Sequence, residues 1–329
     1  MPAPSVGEPP TYYDQPAVKP SFWGWKVSGY IFIGGLAGAA QLLAVAADLA
    51  DGEKFAGIVR RGRYLAFAGA AAGGPLLIAD LHTPQRFYNM LRIFRRTSPM
   101  SIGTYVLLGF GLSSAILAAA QFAQDLWGPR AAEPGSPRGA EGRGAAALDV
   151  AMRAAEIPAA LGGAAMATYT GALLAATSTP LWAAAPLSLP ALFGASALAA
   201  AAAALSLGEG EEGRRALDRI GLAASAAELC LSLALRRRWR AAGVDGALSA
   251  SPWGLAYDLG PTALGAAVPA VAHALGEIVP ARTRRAAPLV TALTLTGGFL
   301  LRHILLRAGN LSAMRPRDYF RFARPQAMP

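Results

Sequence analysis

One cysteine, three histidines and few charges limit the chemistry open to this chain. Charged residues make up 15% of the 329 residues, whereas hydrophobic residues make up 54%. Mean hydropathy is +0.36, on the apolar side of an ordinary water-soluble domain, so lipid is the solvent this composition needs. The lone cysteine, Cys230, lies inside an apolar run. That excludes an intramolecular disulfide and any four-cysteine iron-sulfur or zinc site, and assigns any such cluster to a partner. His82, His273 and His303 are too few for the four axial ligands of a two-haem cytochrome. A single bis-histidine haem is also disfavoured, because His273 sits near mid-helix and His303 near a helix end. The 20 acidic residues are outnumbered by 30 basic ones, for a net charge of +10. The arginines cluster at the ends of apolar runs, where they face headgroups and anionic lipid, so a nucleic-acid partner is not expected. The opening stretch MPAPSVGEPPTYYDQPAVKP lacks the basic start and apolar core of a cleaved signal peptide. The first spanning helix is therefore expected to direct its own insertion.

What the chain does have is long apolar runs. Crossing about 30 Å of hydrocarbon at about 1.5 Å per residue takes about 20 mainly apolar residues. Eight segments qualify, near 27–48, 64–81, 100–126, 151–176, 187–207, 217–235, 260–279 and 286–307. The predicted fold is all-α, an integral membrane bundle of eight transmembrane helices over 27–307, with an N-terminal tail over 1–26 and a C-terminal tail over 308–329. An even count puts both ends on one side. The longest connection, GPRAAEPGSPRGAEGRG, reads as a surface loop too small for a catalytic domain. Gly34 with Gly38 and Gly69 with Gly73, each spaced by four, offer smooth faces for close helix packing. Pro75, Pro158 and Pro269 should bend spans and open space between them. Lysine and arginine counts on the two sides are nearly even. The short, uniformly basic loops opposite the termini lean the orientation towards termini outside. The six tryptophans all fall near helix ends, as an aromatic belt requires.

Ionisable groups at membrane depth are costly and usually serve a pathway, a ligand or a pair. Asp80, His82, Arg302 and His303 fall at the N-terminal-side ends of spans, beside the connection IADLHTPQRFYNMLRIFRRTSPMSIG. Asp80 with Arg86 reads equally as a cap and salt bridge or as a proton acceptor beside a small-molecule pocket. Tyr169 of the YTG sequence is placed in the half of its helix nearer the same side. Glu228, His273 and Glu277 are a candidate proton relay, with Glu277 one turn from His273 on one helix face. The competing reading pairs them with arginines at helix ends. Asp48 and Glu156 lie near the opposite face.

The stretches YYDQPAVKPSFWGWKVSGYIFIGGLAGAAQLLA and RRGRYLAFAGAAAGGPLLIADLHTPQRFYNMLRIFRRTSPMSIGTYVL, with YTGALLAATSTPLW and LRHILLRAGNLSA, span nearly the whole chain. Together they resemble the NrfD/PsrC family, the polysulfide-reductase-type membrane anchor subunits. The resemblance implies an eight-helix subunit of the bacterial cytoplasmic membrane without haem of its own. Such a subunit exchanges electrons between the quinone pool, here menaquinone, and a four-cluster ferredoxin-like iron-sulfur subunit on the outer face. A catalytic subunit, commonly a molybdopterin enzyme, completes the complex. It also implies a quinone pocket near the N-terminal-side ends of the first four helices, with Asp80, Arg86 and Tyr169 as the matching positions. Family members often carry glycine and arginine where this chain has His82 and Thr83. His82 and His303 join Asp80 and Tyr169 as candidate headgroup contacts. Two other functions stay open on the residues alone: a proton-translocating subunit of an assembly like alternative complex III, and a secondary transporter.

Overall fold

The computed structural model describes residues 16, 18–81, 83–131, 140–278 and 280–323, and every regular element among them is helical. Two apolar runs parted by the charged turn DGEK fold as an antiparallel pair, α1 (Trp25–Asp51) and α2 (Ala56–Ala79). The chain stays at the N-terminal face through a 3-10 turn (Pro84–Arg86) and the short α3 (Tyr88–Arg92). It leaves that face along α4 (Pro99–Ala131) and returns along α5 (Ala140–Ala175). A single turn, α6 (Pro180–Ala183), precedes α7 (Ser188–Ser206), which runs antiparallel to α8 (Glu211–Ala241). Next come α9 (Gly246–Ser249), α10 (Pro252–Tyr257), a π-helical stretch (Asp258–Ala267) and α11 (Val268–Ile278). The long α12 (Pro280–Ala313) and the short α13 (Pro316–Ala323) follow.

Six of these helical segments are long and apolar enough to cross a membrane: Trp25–Asp51, Pro99–Leu126, Val150–Ala175, Ser188–Ser206, Pro252–Ile278 and Arg285–Ala313. The expected crossings at 64–81 and 217–235 fall in α2 and α8, which are long but more polar. Arg60, Arg61 and Arg63 occupy the first turns of α2, and α8 carries charge clusters at both ends and Glu228 between them. The last crossing runs past its expected end at 307 to Ala313, and α13 lies within the segment expected as a tail.

Small residues set the closest packing. Gly38 meets α5 rather than α2: an added Cβ would collide with the Gly163 carbonyl oxygen and lie 2.8 Å from Met166 Cβ. Gly69 faces α1, where a Cβ would come within 2.6 Å of Ala37. Backbones this close gain dispersion contacts that larger side chains would prevent.

Each face of the bundle is tied differently. At the face opposite the N-terminus, ion pairs link the helix ends: Lys54 to Glu212 at 2.8 Å, Arg60 to Asp125 at 2.8 Å, and Arg61 to Glu209. At the N-terminal face the ties are aromatic. Trp182 donates its indole N–H to the Leu305 carbonyl at 2.8 Å, Trp239 donates to the Leu181 carbonyl at 2.8 Å, and Trp23 stacks on Trp182. Both donors are fully buried, so each indole contributes apolar area without leaving an unpaired N–H.

Candidate functional site

Where α2 stops, the backbone turns into Leu81 and the 3-10 helix, and Asp80 becomes its C-cap. Lys26 Nζ of α1 donates to the Ala79 carbonyl at 3.0 Å, so a cation rests on the last carbonyls of α2, where the helix dipole favours it. Beside this joint lies a cavity of about 390 Å³, a size typical of small-molecule sites. Its wall on one side is Trp23, just before α1, with Val27, Tyr30 and Ile31 of α1; its other polar groups are Asp80, Thr83, Arg86 and Thr170. Tyr30 and Thr170 are buried, Asp80 is half-buried and Arg86 is exposed. A second cavity of about 390 Å³, almost wholly apolar, shares Leu77 and Met90 with the first and runs between α2 and α4 past Phe67, Leu108 and Leu112.

The sequence-derived site residues divide around this cavity. Asp80 and Arg86 both line it. Tyr169 packs against Gly103 and donates its hydroxyl to the Pro99 carbonyl at the start of α4, so that hydroxyl fixes a helix end. His82 lies outside the described residues. His303 sits across α1: its Nδ1 is 3.1 Å from Ser28 Oγ, and its ring stacks on Phe299 and meets Trp253 edge-on. Ser28 is about 100° around the helix from Val27 and about 200° from Tyr30, which accounts for the separation. Tyr30 itself was not among the residues singled out from sequence. The available signal was a hydroxyl within an otherwise apolar span.

Glu228, His273 and Glu277 have three different environments. Glu228 is 2% exposed and lies against Ser196 of α7 and Arg302 of α12. Arg302, 1% exposed, donates to Ser196 Oγ at 2.8 Å, the Gly298 carbonyl at 2.7 Å and the Phe193 carbonyl at 3.0 Å. His273 Nδ1 is 3.4 Å from Asp218 Oδ1, and Asp218 accepts from Arg214 at 2.7 Å. Glu277 pairs with exposed Arg219 at 3.2 Å. A second buried cation went unread in the sequence: Arg63 of α2 donates to Gln121 at 2.9 Å, Asp48 at 2.9 Å and Glu156 at 3.1 Å. These groups border a polar cavity of about 380 Å³ at the opposite face. Among the described residues, no group of three or more His, Cys, Asp or Glu is arranged to hold a metal.

Helices of this length and apolarity, bundled around buried charge pairs, define a multi-pass α-helical membrane protein. The family model described as polysulphide reductase, NrfD, matches residues 15–313, and the chain belongs to that family. The C subunit of polysulfide reductase from Wolinella succinogenes is 30% identical over 91 residues, covering 27% of this chain and 29% of that relative. The match thus spans less than a third of the length of the curated relative.

Proposed function

We propose that this chain is the membrane subunit of a reductase complex in the bacterial cytoplasmic membrane, and that the Asp80 cavity binds the headgroup of a quinone or quinol, menaquinone in particular. The observation that carries this reading is that two adjacent cavities share Leu77 and Met90 in their walls: one with a carboxylate, a guanidinium and three hydroxyls, the other an apolar groove. A polar ring with a long apolar tail matches that division. Quinone supplies the redox chemistry, taking two electrons and two protons.

The residues would act as follows. Tyr30 donates a hydrogen bond to a carbonyl oxygen or accepts one from a hydroxyl. Asp80 accepts the hydroxyl proton and passes it towards the N-terminal face through the opening at Thr83 and Arg86. Arg86, which lines the same cavity, offers its guanidinium N–H groups to a headgroup oxygen. Tyr169 holds the start of α4 against α5, which keeps the cavity wall in place. Electrons leave one at a time to a four-cluster ferredoxin-like iron-sulfur subunit docked on the N-terminal face, taken here as the outer side. A molybdopterin-type subunit would carry the terminal reaction.

Asp80→Asn keeps the shape and removes the proton acceptor. Membranes containing this variant should show at least a tenfold loss of quinol-dependent electron transfer with normal amounts of the protein. Near-normal turnover would eliminate Asp80 as the acceptor.

A further inference from the structure

A line of polar residues runs along one face of α8 into the bundle interior. This face is read at positions 214, 218, 221, 225, 228 and 232, successive turns apart; the first two are partly exposed and the other four buried. Starting from the face opposite the N-terminus, Arg214 and Asp218 are ion-paired, and Asp218 meets His273 Nδ1 at 3.4 Å. The other side of the imidazole lies over Gly221, where an added Cβ would come within 2.9 Å of Nε2. Glycine is needed at 221 because the ring occupies the place of its side chain. One turn further on is Ser225, 0% exposed, whose hydroxyl has no hydrogen-bond partner among the described residues. Glu228 follows three residues later; its Oε1 is likewise unpartnered, although the group is 2% exposed.

Buried polar atoms are rarely left unpaired, and an unsatisfied oxygen in a protein interior usually marks an ordered water. Here the residues with unpaired atoms, Ser225, Glu228 and Ser232, follow one another at a rise of about 4.5–6 Å along the helix axis, close to the span of two hydrogen bonds through one water. The helix packed on this face supports the same reading. Its π-helical stretch, Asp258–Ala267, departs from regular α-helix beside α8, and Thr262 within it is a further buried hydroxyl without a partner.

We propose that this face of α8 is a water-filled proton path, leading from the face opposite the N-terminus through Asp218, His273 and Ser225 to Glu228. A proton enters from bulk water at Asp218, moves along the imidazole and the intervening waters, and ends on Glu228 Oε1. Only O–H and N–H bonds are exchanged, and no electron moves. Arg302 closes the inner end. Its guanidinium, held by Ser196, Gly298 and Phe193, places a fixed positive charge beside Glu228 and opposes further passage, as arginines do in proton-excluding pores. The path therefore delivers protons to mid-membrane without leaking them across. Glu277, paired with Arg219 on an exposed surface, lies outside it.

Infrared spectroscopy of the full chain in lipid nanodiscs tests the proposal. A carboxyl stretch absent from Glu228→Gln identifies protonated Glu228 between about pH 4 and about pH 10. Transfer to D2O should shift this band quickly in the parent chain and at least tenfold more slowly in Ser225→Val and Asp218→Asn, while Glu277→Gln leaves the rate unchanged. A protein with no Glu228 band in that range, or with equal exchange rates in all variants, overturns the path. Where a variant fails to fold, cysteine labelling gives a separate answer. With surface-exposed Cys230 replaced by serine, Ser225→Cys should react with a small membrane-impermeant thiol reagent added at the face opposite the N-terminus. Protection equal to that of Leu217→Cys, a buried apolar control, overturns the proposal.

Discussion

Two sets of one acid and one arginine, Asp80 and Arg86 lining a cavity and Glu228 beside Arg302 in the bundle interior, show how surroundings decide what such groups can do. Around Asp80 the polar groups converge on open space, and Arg86 is exposed. Around Arg302 the protein supplies three acceptors, Ser196, Gly298 and Phe193, and the rings of Phe32 and Phe193 lie 5.7 and 5.1 Å from the guanidinium. The first arrangement leaves hydrogen-bonding capacity for a ligand. The second is enclosed by the bundle, and the protein holds its guanidinium in place, so that positive charge is a fixed feature of the fold.

The comparison is broken most directly at Arg302. Removing one member of a buried pair strands the other, at a cost of about 3–5 kcal/mol. Arg302→Met should therefore sharply lower the unfolding temperature and yield in detergent, and the double variant Arg302→Met/Glu228→Gln should recover much of the loss. If Arg302→Met is as stable as the parent, the two groups are not coupled. Arg63 is an intermediate case. Its partner Asp48 has a side chain 32% exposed, so water can replace part of what Arg63 provides. Arg63→Gln should cost about 2 kcal/mol, measured by thermal unfolding. A loss as large as that at Arg302 would mean that the cavity at the opposite face is drier than the exposure of Asp48 implies.

At the open site the effect should appear in binding rather than stability. Tyr30→Phe removes one hydroxyl and no packing volume, so at the proposed quinol site affinity should fall about tenfold, equivalent to about 1.4 kcal/mol. Thermal stability should stay within about 0.5 kcal/mol of the parent. The readout is the KM for quinol in membranes beside the melting temperature of the purified protein. A fall in both affinity and stability would place Tyr30 in the packing of α1 instead.

The same contrast explains what the sequence could reveal. Asp80 and Arg86 belong to one short motif and share one connection, so local spelling brings them together. The apolar runs likewise disclosed the bundle through length and hydropathy alone. Glu228 and Arg302 sit on different helices with another crossing between them, and helix periodicity gives depth but not neighbours. Helix α8 extends beyond the apolar segment 217–235 for a related reason. A helix continues through its terminal arginines, because their stems can lie along the bundle while the charged heads reach water. Hydropathy marks the lipid-facing part of a helix, not where its hydrogen bonds stop.

The smallest expected effect tests the N-terminal face, where α13 docks. Asp318 is 3% exposed, and desolvation holds its carboxyl above the usual range, partly countered by Arg315, whose Nε is 3.2 Å away. A carboxyl raised in the folded state binds its proton more tightly there than in the unfolded chain. Its contribution is therefore fully present below the unfolded value and is lost as pH rises through the folded one. Ionised Asp318 thus weakens the docking of α13 near neutrality, and mild acid should tighten it. Hydrogen exchange at the amides of α13 should slow as pH falls into the carboxylate range, after correction for intrinsic exchange, by an amount worth less than about 1 kcal/mol. Asp318→Asn should abolish that dependence and keep the protected level at neutral pH. Undiminished pH dependence in Asp318→Asn would move the titrating group elsewhere, with Asp245 the nearest other carboxylate acting on it.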